Sequence, residues 1–236
     1  MSAAPQATEF APGLLIQRLS PPLRLSSFKA IAFDMDSTLI NIECIDEIAD
    51  AAGKKAEVAA ITEAAMRGEI TDFKDSLRRR VALLKGVPAE ALQTVYEQRL
   101  KLNPGAPELV NAAKAAGLHT LLVSGGFTFF ADRVKARLGM HEAHSNVLGI
   151  EGGLLTGEVI GEIVDGEAKR QHLLALCARL GCAPSQAIAV GDGANDLPMM
   201  GEAGLSVAYH AKPKVREQAM VAINEGGLDR LLSVMV

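Results

Sequence analysis

Three segments, "KAIAF", "HTLLV" and "AIAV", run into Asp34, Ser124 and Gly191, and each is followed at once by small or polar residues and then by helix-forming sequence. They are too short for helices and lack the alternation of half-buried strands, so they read as strands covered on both faces. Between them the pattern turns amphipathic at helical spacing, which predicts an α/β chain: a parallel sheet with helices on both faces. In such sheets ligands bind outside the carboxyl ends of the strands. The three endings are therefore expected to meet at one site.

The interval between the first two strands is too long for a simple crossover. Residues 43–103 carry no strand pattern and read as several helices, closed by the turn "NPGAP". The expected organisation is a catalytic core of 28–42 and 104–236, a helical cap of 43–103, and an extension of 1–27 that leans on the core. A further segment, "NVLGIEGGLLTGEVIGEIVDG", is punctuated by glycines and alternates, as a small antiparallel hairpin does.

Charge narrows the partners. A formal net charge of -4 gives no general attraction for nucleic acid or an anionic membrane. Aromatics at 4% with no Trp weigh against base-stacking surfaces. No basic stretch followed by an apolar run opens the chain, and no run is apolar enough to span a bilayer, so a cytoplasmic protein with a small-molecule substrate is expected. Cys44, Cys177 and Cys182 lack C-x-x-C spacing and read as reduced structural thiols. His119, His141, His144, His172 and His210 show no metal-ligand pattern.

Against that background the acids stand out. Asp34 and Asp36 follow the first strand, and Asp192, with Asn195 and Asp196, follows another. Carboxylates crowded at buried strand ends repel one another unless a cation or a shared proton lies between them. Mg2+ takes hard oxygen donors and few protein ligands, so three converging acids suit it. Each acid taken singly would be a helix cap or turn residue.

Ser124 with Gly125 and Gly126 sits where a strand is expected to meet a helix, a place suited to a phosphate. Lys169 opens a predicted helix, against the dipole, and shares the apolar stripe of Leu173, Leu176 and Leu180, so it calls for a buried anion. Arg80 lies on one stripe with Phe73, Leu77 and Leu84, while Arg78 and Arg79 point away. An embedded Arg seeks a planar acid: a substrate carboxylate, or an internal Asp or Glu.

"DMDST", "SGG", the helix-opening Lys and "GDGAND" together resemble the four motifs of the haloacid dehalogenase superfamily of phosphotransferases. The longer stretches "DMDSTLINIECIDEIA", "AMRGEITDFKDSLRRRVALLKG", "VSGGFTFFA" and "VIGEIVDGEAKR" resemble the branch acting on O-phosphoserine at the last step of serine synthesis. The resemblance runs from Phe28 to the C-terminus and implies a Rossmann-like sheet with an inserted helical cap. It implies that Asp34 is the nucleophile, forming an aspartyl phosphate, and that Asp36 is the general acid and base. It implies Mg2+ held by the Asp34 carboxylate, the Asp36 backbone carbonyl and Asp192. Ser124, Gly125 and Lys169 would hold the phosphoryl group, Arg80 the substrate carboxylate and Glu43 its ammonium. Met66 and Phe73 would close over the site, with Asn195 and Asp196 ordering it. For Glu43 the periodicity disagrees, since the apolar stripe of Ile45, Ile48, Ala49 and Ala52 points roughly the other way.

Related possibilities share part of this pattern. A superfamily relative acting on another phosphomonoester such as phosphohomoserine, or passing phosphate to an alcohol, would carry the same core motifs. A receiver-type signalling domain would be shorter and has no need of the insertion. "GDGAND" approaches a dinucleotide fingerprint, but Asp196 stands where the third Gly is needed.

Overall fold

The computed structural model describes residues 7–66 and 69–236, Met66 without its side chain. Five strands, all fully buried except β4 at two positions, form the middle of one sheet: β3 (Ala30–Phe33), β4 (His119–Phe127), β7 (Ala187–Gly191), β8 (Leu205–Tyr209) and β9 (Val221–Ile223). With β1 (Thr8–Ala11), β2 (Leu14–Ile16), β5 (Glu142–Glu151) and β6 (Leu154–Ile160) the order is β1-β2-β9-β8-β7-β3-β4-β5-β6. From β9 across to β5 every pairing is parallel; β2 on one side and β6 on the other pair antiparallel.

The pleat sorts side chains by size. Ile31, Phe33, Leu122, Ile188 and Val190 face one layer, with α5 (Ala106–Ala115) and α6 (Thr128–Leu138). Ala30, Ala32, Ala187 and Ala189 face the other, where Leu173, Leu176 and Cys177 of α7 (Gly166–Leu180) and Met199 and Met200 of α8 (Leu197–Glu202) fill the space that alanines leave. A short α9 (Pro213–Gln218) completes that layer through Val215. Each fully buried Ile or Phe contributes about 1.5–3 kcal/mol. The middle strands therefore hold the site on a rigid base.

Among the described residues, α1 (Cys44–Ala51), α2 (Lys55–Met66), α3 (Phe73–Ala82) and α4 (Glu90–Gln98) lie between β3 and α5. The outgoing and returning chains are clamped where they cross. Asn103 Nδ2 donates to the carbonyls of Thr38 and Ile40 at 2.8 and 3.0 Å, and Asn41 N–H donates to Lys101 O at 3.0 Å. Gly105, at φ 76°, supplies the left-handed turn into α5.

Three expectations are revised. The segment before Phe28 does more than lean on the core: β1 and β2 extend the sheet, with β2 registered on β9 through Leu14↔Ile223 and Ile16↔Val221. Ser124 does not open a helix, because β4 continues through a register shift to Phe127 and α6 begins at Thr128. Leu180 does not share the buried stripe of Lys169; it is the last residue of α7 and 40% exposed, while Cys177 takes the inner position. Among the described residues no helix is long and apolar enough to cross a membrane.

Candidate active site

At the carboxyl end of β3 the chain leaves the sheet in one step. Asp34 N–H still pairs with Val190 O at 2.9 Å, then Met35–Leu39 form a single wide helical turn closed by Ile40 N–H on Met35 O. Inside that turn Asp36 is extended and Ser37 is left-handed at φ 55°. A left-handed serine is costly, and two bonds hold it: its N–H donates to Ile42 O at 3.1 Å and its hydroxyl to Glu43 Oε1 at 2.7 Å. The departure aims both aspartates into a cavity of about 760 Å³.

Lys169 is completely buried, its ammonium 2.8 Å from Asp34 Oδ1 and 2.7 Å from Asp196 Oδ1. Burial pulls the lysine toward neutrality, but Asp196 and Asp34 outweigh it and hold it above the usual lysine range. The anion inferred from its position on the stripe is thus a pair of carboxylates. Asp196 is fully committed: Oδ1 takes Lys169, and Oδ2 accepts the N–H groups of Asp192 and Gly193 at 3.2 and 3.0 Å. Its role is to fix the lysine and the loop after β7.

Oxygens of Asp34, Asp192 and Asp196 all lie within 4.8 Å of one another, a carboxylate cluster able to hold a metal ion. Burial raises Asp34 well above the carboxylate range, with Asp196 adding repulsion against Lys169. Burial, Asp196 and Glu43 push Asp192 up to about 7. Asp34 Oδ1 is occupied by Lys169 and Met35 N–H, and Asp192 Oδ1 by the Thr38 hydroxyl at 3.3 Å. Each of these two acids keeps a second oxygen with no hydrogen bond among the described residues. The donor set is hard and anionic, and fits a small divalent cation.

Asp36 lies beside this cluster, its carboxyl raised to about 7 by burial and then by Glu43. Ser124 is 1% exposed; its Oγ accepts Gly126 N–H at 2.9 Å. Asn146 fastens the glycine loop, donating to Gly125 O and accepting Val164 N–H, both at 2.8 Å. From the inserted helices, Glu43 caps the start of α1, and Phe73 and Arg80 lie on α3. Phe73 packs against Gly125 so closely that a Cβ there would meet its ring at 3.0 Å. Lys74, next to it, pairs with Asp165 at 3.1 Å, and Asp165 caps α7 by accepting Ala168 N–H. Arg80 is half-buried; burial lowers its affinity for a proton while Asp46, Glu43 and Asp36 oppose that. Its only hydrogen bond among the described residues is from Nε to Ser76 O at 3.4 Å, so the outer face of the guanidinium is open.

One cavity thus gathers Asp34, Asp36, Glu43, Phe73, Arg80, Ser124, Gly125, Asp192 and Asn195. Asp196 and Lys169 sit behind it, and the Met66 side chain lies outside the described residues. Glu43 faces the cavity because it precedes the first turn of α1, where the stripe arithmetic does not apply. No histidine lines it; His119 stacks on His141 and His144 on His172, around Glu142. Lys212, which no sequence pattern marks, also lines the cavity, and its N–H reaches Asp192 O at 3.3 Å. Only tertiary contact reveals it.

A largely parallel sheet with carboxylates, a buried lysine and a serine-glycine loop at its carboxyl edge is the layout of an α/β enzyme suited to phosphoryl chemistry. The model of the haloacid dehalogenase-like hydrolases matches residues 28–204, and the chain belongs to that family. Within it, the phosphoserine phosphatase of Polaromonas sp. (strain JS666) is 68% identical over 234 residues, covering 98% of this chain and 99% of that protein. That of Haemophilus influenzae is 49% identical over 220 residues, 93% of this chain and 69% of that protein. A solved phospho-aspartyl intermediate analogue of phosphoserine phosphatase is 40% identical, with a TM-score of 0.82 over 89% of this chain and 99% of that one. A substrate-bound phosphoserine phosphatase complex gives the same figures.

Proposed function

We propose that the chain hydrolyses O-phospho-L-serine to L-serine and phosphate through an aspartyl phosphate on Asp34. The observation that carries this reading is the shared cavity: Asp34, Asp36 and Ser124 line it together with Glu43 and the open guanidinium of Arg80. The first three suit a phosphoryl group and the last two an amino acid.

In the first step a carboxylate oxygen of Asp34 attacks phosphorus as the bond from phosphorus to the serine oxygen breaks, and Asp36 gives its proton to that oxygen. In the second, water attacks phosphorus, the bond from phosphorus to the Asp34 oxygen breaks, and Asp36 takes the proton from water. A carboxyl raised to about 7 serves both directions near neutral pH. Lys169 directs two of its three donors at Asp34 and Asp196, which leaves the third for a phosphoryl oxygen. Ser124 and the Gly125 N–H offer further donors, and Asn195 orders the loop. Asp34, the Asp36 carbonyl and Asp192 would hold Mg2+, which when bound neutralises charge between nucleophile and phosphate. Residues 43–103 act as a cap, with Phe73 shielding the reacting atoms from water and the Lys74–Asp165 pair fastening α3 to the start of α7.

Two substitutions test the parts. Arg80→Ala should lower kcat/KM for phosphoserine about 10- to 100-fold, the worth of a charged hydrogen-bonding group, and leave an aryl phosphate nearly untouched. Equal losses on both substrates would refute its carboxylate role. Gly126→Ala places a methyl 2.9 Å from Met35 Cε and 3.0 Å from Asp36 Oδ2. It should cut kcat of both substrates roughly tenfold or more by displacing Asp36 as the base toward water, the step both share, with folding intact by circular dichroism.

A further inference from the structure

Asp36 must reach the leaving oxygen and then the incoming water, so its carboxylate needs a fixed aim, yet its contacts are few. Among the described residues its side chain has one partner. Cys44 Sγ lies 3.1 Å from Asp36 Oδ1, and Cys44 N–H lies 3.4 Å from Oδ2. A single residue therefore grips both oxygens.

Cys44 is the first residue of α1, directly after Glu43, and is 0% exposed. Its S–H is the donor in this pair and Asp36 Oδ1 the acceptor. Gly126 lies close by, since a methyl there would come 3.0 Å from Oδ2. The thiol and N–H of Cys44 thus orient a carboxylate that has little room beside the glycine loop.

We propose that Cys44 is a positioning residue for the reaction: its thiol and N–H aim the Asp36 carboxyl at the leaving oxygen, and tie that aim to the first turn of α1. Because Glu43 is adjacent in the same turn, the helix start that meets the amino acid also sets the proton donor. This inference rests on the assignment of Asp36 as general acid.

The test compares leaving groups, using kcat/KM because it covers the steps through aspartyl phosphate formation. The serine alkoxide needs a proton to depart, whereas p-nitrophenolate does not. Cys44→Ala should lose about 10- to 100-fold on O-phosphoserine and much less on p-nitrophenyl phosphate. Cys44→Ser, which restores a donor, should return to within about threefold of wild type. Equal losses on the two substrates, or an alanine variant as selective as wild type, would overturn the proposal.

Asp36→Asn is the reference. If it shows no leaving-group dependence, the general-acid assignment fails, independently of Cys44. Should Cys44→Ala not fold, infrared spectroscopy decides on stable proteins. The S–H band missing from Cys44→Ser should move to higher frequency in Asp36→Asn, since a thiol bonded to carboxylate is weakened. An unmoved band would contradict the contact.

Discussion

Asp34→Asn protein should fold, melt no lower than wild type, and release phosphate at least on the order of 10⁴-fold more slowly. The two effects have one origin. Burial holds the Asp34 carboxyl above its ordinary range, with Asp196 next. A carboxyl raised in the folded state gives up its proton more readily when unfolded. Its ionisation therefore disfavours folding increasingly as pH rises above the usual carboxylate range, and fully above the folded value. Asparagine removes that penalty, while Lys169 keeps Asp196 as a partner at 2.7 Å. Differential scanning calorimetry in metal-free buffer, beside a phosphate-release assay, reads both effects. A folded variant with wild-type activity would end the aspartyl-phosphate mechanism.

Lys169→Met should fail in the opposite way, losing stability as well as activity. It removes the cation between two carboxylates that are 8% and 0% exposed, leaving like charges to face each other in a dry site. Breaking a buried pair in this manner costs about 3–5 kcal/mol. For a chain of this length that is a fall of roughly 6–20 °C in Tm. Adding Asp196→Asn should recover part of the stability and none of the activity, because the phosphoryl donor is still missing. Single and double variants close a thermodynamic cycle. Additive losses would mean that Lys169 and Asp196 do not depend on one another.

The contrast between these two variants reflects what sequence patterns register. Asp34, Asp192 and Lys169 were legible because each breaks a local rule: acids at the ends of apolar runs, and a lysine on a core stripe against a helix dipole. The structure brings those violations together. Features obeying local rules stayed hidden. Cys44 read as one of three reduced structural thiols and nothing marked Lys212, which precedes Pro213, yet one grips Asp36 and the other borders the cavity. β1 and β2 are four and three residues long in a Pro-rich stretch, and their register is set by β9, more than 200 residues away. Ser124 was misplaced at a helix start because two glycines interrupt any strand pattern. It is pairing with β5 that carries β4 on to Phe127. Arg80 was visible as an embedded cation, but only the structure shows its guanidinium open to the cavity.

Phosphate release from O-phospho-L-serine, with and without Mg2+, beside a panel of other small phosphomonoesters, addresses the central claim most directly. The account predicts a strong preference for phosphoserine that requires the cation and vanishes in Asp34→Asn. Equal turnover of the whole panel, or undiminished release from phosphoserine without a divalent cation, would contradict it.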